Sequence, residues 1–107
     1  MDPPHSTAVI DHHLTGRLSR ARGVIGRYPD PDERYILEWS AIDDRPIHML
    51  GVTRPLVVEW HQRGAMVRRE MLRPWVGHAS HPADRVIEYA PEARPYAAMF
   101  WGRHPGG

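Results

Sequence analysis

Residues 46–75, PIHMLGVTRPLVVEWHQRGAMVRREMLRPW, decide the fold. Pro46 opens a strand, where a missing N–H is tolerated at an end or an edge. Ile47 and Met49 then point one way, and His48 and Leu50 the other. Pro55 to His61 places Leu56, Val58 and Trp60 on one face and Val57, Glu59 and His61 on the opposite face. Gln62-Arg63-Gly64-Ala65 is a hairpin connection in which Gly64 supplies a positive-φ residue. Met66 to Leu72 returns, and Arg73-Pro74-Trp75 leaves the sheet. Pairing the His48 and Glu59 strands as a hairpin would put the imidazole and the carboxylate on one face.

Working outward, Thr7 to Leu14 reads as a first strand, broken by Thr15-Gly16. Ser19 is the N-cap of a predicted helix ending at Arg27. Leu18, Ala21, Val24 and Ile25 share one arc of that helix, as expected of a stripe packed on a sheet. Arg34 to Trp39 is a β-rich run with Tyr35, Leu37 and Trp39 on one face. Ser40 to Arg45 is polar and reads as a turn. Gly77 to Pro82 reads as a loop, and Arg85 to Ala90 as the last strand. Short strands at regular spacing with turn signals predict a mainly β domain, a compact sandwich or barrel with one short N-terminal α-helix. The expected organisation is a flexible tail over 1–6, one β-rich domain over 7–101 and a second flexible tail over 102–107. Tyr96, Met99, Phe100 and Trp101 carry enough apolar surface to dock on the body.

The 46–75 block resembles the family called "domain of unknown function 192", whose members show a Pro-Leu-Asp-Val strand, a Gly turn and a Val-rich return. Leu18-Ser19-Arg20-Ala21-Arg22-Gly23-Val24-Ile25-Gly26-Arg27 is similar to that family's Ala-Arg-Gly-Leu-Met-Gly-Arg helix. Arg85-Val86-Ile87-Glu88-Tyr89-Ala90-Pro91 is similar to its Val-Leu-Glu-Leu-Pro strand. The resemblance spans residues 8–91 and implies a jelly-roll-like architecture; it implies no activity, because the family has no established one. Two departures stand out. Val57 occupies the position of the family's Asp, and the family's C-terminal pattern is missing.

The 107 residues contain no Cys, which excludes disulfide scaffolds, thiolate nucleophiles and Cys-ligated zinc. The first residues carry no signal-peptide pattern and no apolar run approaches a membrane span, so a cytoplasmic location is expected. All 14 basic residues are Arg, but 13 acids leave a formal net charge of +1, against a general polyanion binder.

Several constellations could carry chemistry. A carboxylate beside an imidazole, as Glu59 beside His48 would be, raises its basicity for proton transfer, but no nucleophile accompanies the pair. His78-x-x-His81 lacks a third ligand apart from Asp84, and His12 and His13 would point to opposite faces of a strand, so no metal site and no cofactor are expected. Arg20, Arg22 and Arg27 form a candidate anion-binding group on the helix. Trp75 beside Arg73 offers either a partner anchor or a cation–π clamp. The expectation is a non-catalytic binding or interaction module, monomeric or weakly dimeric, with a protein or small-molecule partner. Its binding rim comprises His48, Arg54, Glu59, Arg73 and Trp75. The alternatives are a hydrolase using His48 and Glu59, or a nucleic-acid binder using the Arg-rich helix.

Overall fold

In a computed structural model, residues 10–14 and 28–93 are described. The predicted helix Ser19–Arg27, the tail segment Tyr96–Trp101 and residues 1–6 and 102–107 lie outside them. Five strands form one sheet: β1 (Ile10–Leu14), β2 (Glu33–His48), β3 (Leu56–Gln62), β4 (Ala65–Leu72) and β5 (His78–Tyr89). Their spatial order is β1-β2-β5-β3-β4. β1 runs parallel to β2, and every other pairing is antiparallel. The mainly β expectation of a compact sandwich or barrel-like domain holds in the form of one five-stranded hydrogen-bonded sheet.

The sheet closes over its core by curling. Beyond its midpoint, the β2–β5 ribbon bends across the β3–β4 pair. Tyr35 and Leu37 from the first half of β2 and Ile47 from its second half thereby share one buried cluster with Leu56, Val58, Trp60, Leu72 and Val86. The Trp60 indole N–H donates to the Arg45 carbonyl at 2.9 Å, tying β3 to the folded-over half of β2. The opposite face carries a smaller cluster of Ile36, Val57, Ile87, Tyr89 and Ala93.

Residues 40–45, read from sequence as a turn, continue β2 as a wide bulge. Glu38 pairs with Arg85 and Asp43 with Ala83, so four residues of β2 lie opposite Asp84 alone. Arg45 holds this bulge. Its side chain is buried, donating from Nε to the Ala83 carbonyl at 3.0 Å and from Nη2 to the Ala41 carbonyl at 2.7 Å. Its guanidinium lies over the Trp39 ring at 4.1 Å. A cation that looks like loop solvation in the sequence thus links the bulged Ala41 carbonyl to the Ala83 carbonyl on the facing strand.

The segment from His78, read as a loop, is likewise the first half of β5. Its prolines fit because of register. Pro46 opposes Ser80, and Asp44 opposes Pro82. Met49 N donates to the Gly77 carbonyl, which makes 49/77 the bonded type of pair. Counting back by two, 46/80 and 44/82 are non-hydrogen-bonded pairs. Neither proline is therefore asked for an N–H toward its ladder partner.

The expected β3–β4 hairpin is present, with Gln62 opposite Ala65. Both loop residues have positive φ, Arg63 at 51° and Gly64 at 85°, the primed turn that suits strand twist. The other expected hairpin, between the His48 strand and the Glu59 strand, does not form. β5 lies between β2 and β3, because its long antiparallel ladder with β2 occupies the edge that β3 would have used.

Candidate functional site

The segments Met49–Pro55 and Arg73–Gly77 meet at one end of the molecule. Val52 N donates to the Met49 carbonyl and closes a tight turn with Leu50 and Gly51 at its tip. Trp75 N donates to the Val52 carbonyl at 3.0 Å, and Gly77 N donates to the Arg73 carbonyl at 3.0 Å. Trp75 is held between these bonds at φ 65°, a left-handed conformation that costs an L-residue roughly 1–2 kcal/mol. Gly77 permits the turn: a Cβ there would lie 2.6 Å from both the N and O of Arg73.

The turn displays apolar surface. Trp75 is 54% exposed, Val76 64% and Leu50 66%. Beside them runs an open cleft of about 260 Å³ lined by Glu70, Met71, Leu72, Arg73, Val76, Gly77 and His78. Arg73 is exposed at its edge. The stacked cations of the described residues are Arg45 on Trp39, Arg54 on Tyr28 and Arg68 on Trp60, so Trp75 is not clamped by Arg73.

Of the expected rim, His48, Arg54, Arg73 and Trp75 do come to this end, but Arg54 is committed elsewhere. Its guanidinium lies 4.5 Å from the Tyr28 ring centroid and 2.6 Å from the Glu92 carboxylate. Tyr28 donates its hydroxyl to the Pro55 carbonyl. Burial pushes that phenol up to about 12, with Arg54 opposing and Glu92 adding. Arg54 thus braces the Thr53–Pro55 stretch against Tyr28.

Glu59 is not part of the rim. His48 pairs with His78, and Glu59 with Ile87. Those partners lie nine positions apart on β5, roughly 30 Å of strand at about 3.3 Å per residue. The proton-transfer pair His48–Glu59 is therefore not assembled, and a hydrolase built on it has no active centre.

Glu59 instead anchors a buried network that the sequence analysis did not identify. One carboxylate oxygen lies 2.8 Å from His61 Nε2, and the other accepts the Tyr89 hydroxyl. Arg69 Nε is 3.6 Å from that second oxygen. Burial raises the Glu59 pKa, but the hydrogen bonds from His61 and Tyr89 and the charges of His61 and Arg69 outweigh it. The net displacement is downward. The carboxylate is already occupied at both oxygens, as expected of a structural ion cluster. The only signal for it in the sequence was Glu59-x-His61, two residues that share a strand face.

Val57 belongs to the same face and is wholly buried against Ile36, Ile87 and Tyr89. An Asp there would lie among apolar side chains. A second acid, Glu88, is buried on the larger core face between its ladder partners Tyr35 and Val58. It is 1% exposed, with Oε2 unpartnered, and burial raises its pKa well above the ordinary carboxyl value.

Among the described residues no group of three or more His, Cys, Asp or Glu is arranged to hold a metal ion, and no helix is long and apolar enough to cross a membrane. His78 and His81, being three apart on β5, project from opposite faces. Arg20, Arg22 and Arg27 lie outside the described residues. Comparison with protein-family models, curated proteins and solved structures finds no match.

Proposed function

We propose that the chain is a non-catalytic binding module whose contact surface is the Leu50–Trp75–Val76 end, with Arg73 at its margin. The observation that carries this reading is Trp75, a large aromatic held exposed in a left-handed turn by flanking backbone hydrogen bonds. Strained residues persist where the surroundings over-determine them, and such positions cluster at ligand and partner contacts. Rigid, exposed Trp and Arg side chains are the residue types that most often dominate binding energy at interfaces. The adjoining cleft is mainly polar in its exposed lining, with Met71 and Val76 at its sides and charged groups at Glu70 and Arg73, features suited to the backbone and polar side chains of an extended peptide.

Affinity capture from the native host, with full-length chain as bait, tests the reading. Wild type should recover a defined protein or small ligand. Trp75→Ala and Arg73→Ala should lose it while melting within a few degrees of wild type. Equal recovery by folded Trp75→Ala would remove this surface from consideration.

A further inference from the structure

Behind the rim, on the outer face of the β2–β5 ribbon, two histidines face one another. His48 and His78 are direct ladder partners, so their side chains leave the same face of the sheet. That face is the outer one, because the alternating neighbours Ile47, Met49 and Ala79 belong to the core cluster. The register also sets their separation. Met49 N donates to the Gly77 carbonyl, which makes 49/77 the bonded type of pair and 48/78 the non-hydrogen-bonded type, in which side chains approach most closely. Opposed Cβ atoms there are about 4.5–5.5 Å apart. Two imidazole nitrogens on one tetrahedral ion, with bonds of about 2.0–2.1 Å, sit about 3.3 Å apart. Side chains rooted this close can converge on one ion without moving the backbone.

The two rings are also available. His78 is exposed and His48 partly so. The Leu50 backbone N–H donates to His48 Nδ1 at 3.3 Å. In accepting that bond, Nδ1 leaves the ring proton of neutral His48 on Nε2, so an ion bound at either nitrogen must displace this long contact.

We infer that His48 and His78 form a two-histidine site for a divalent transition-metal ion such as Zn²⁺, Ni²⁺ or Cu²⁺. Imidazole nitrogen suits these ions, whereas Ca²⁺ and Mg²⁺ require oxygen ligands that the pair does not provide. Two protein ligands leave positions open for water or for a donor from outside the chain. Glu70, which lines the same cleft as His78, is engaged by Arg68 at 2.7 Å and is not counted as a ligand. The site rests on strand register alone and does not depend on Trp75 binding a partner.

The test is titration of the untagged full-length chain with ZnCl₂, followed through histidine ring resonances and by calorimetry, with CaCl₂ as the contrasting ion. One Zn²⁺ per chain should bind, moving His48 and His78 signals together, and Ca²⁺ should not. His48→Ala and His78→Ala should each weaken binding roughly tenfold or more, since even losing an outer-shell support costs about 10–100-fold. His81→Ala, on the other face of the same strand, should not. Both histidines are at the surface, and His48→Gln and His78→Gln, with circular dichroism, separate loss of a ligand from loss of fold. Absence of binding, undiminished binding by the folded His48 and His78 variants, or displacement spread over His12, His13 and His81 would overturn the site.

Discussion

Replacing Glu88 with Gln should flatten the pH dependence of stability. Glu88 is buried between Tyr35 and Val58, and burial raises its pKa well above the ordinary 4.5. Below pH 4.5 the acid is protonated in both the folded and the unfolded chain and contributes no pH dependence. As pH rises above that value the unfolded chain releases its proton while the folded chain retains it. Folding therefore weakens by about 1.4 kcal/mol for each pH unit until the folded pKa is reached. For a domain of this size, 1 kcal/mol moves Tm by about 4–8 °C. Between pH 5 and pH 6 the wild type should thus lose roughly 5–10 °C relative to Glu88→Gln, a group of nearly the same shape with no proton to bind. The assay is thermal unfolding of both proteins at half-unit steps from pH 4 to pH 8. The difference between the two curves isolates residue 88 from the other titrating groups. A constant difference across that range would refute the buried, protonated assignment.

Three further perturbations probe the network and the rim. Glu59→Gln should destabilise the domain at neutral pH by roughly 1.5–3 kcal/mol, the usual worth of a hydrogen bond to a charged group. Because the folded pKa of Glu59 is depressed, its stabilisation is present above the unfolded pKa of about 4.5 and lost as pH falls through the folded value, so the two melting curves should converge in acid. Gly77→Ala should lower Tm by at least several degrees, since the added Cβ would meet Arg73 backbone atoms at 2.6 Å; unchanged melting would show that the turn can relax. Trp75→Gly should melt at or above wild type, because glycine relieves a left-handed strain of about 1 kcal/mol, yet lose the captured partner. A marked fall in Tm would instead make Trp75 a packing residue.

The chain's β character, its faces and one of its hairpins were legible in the residues alone. Alternation grouped Tyr35 and Leu37 on one face of their strand, and Leu56, Val58 and Trp60 on one face of theirs, because side-chain direction along a strand has a period of two whatever the topology. Gln62-Arg63-Gly64-Ala65 announced its turn because positive φ is a local demand that only a few residues meet cheaply. What lay beyond reach were contacts between residues far apart in sequence. No periodicity shows that β5 inserts between β2 and β3, so the His48–Glu59 pairing failed and both residues found other partners. His48 gained His78 across a ladder, and Glu59 gained Tyr89 and Arg69. Arg45 looked like solvated loop because its two acceptor carbonyls, Ala41 and Ala83, become neighbours only when the sheet bulges and curls. The burial of Glu88 was not legible in the sequence, because burial is a property of what packs against a face. Local geometry is written in neighbouring side chains; register and enclosure are decided by the whole sheet.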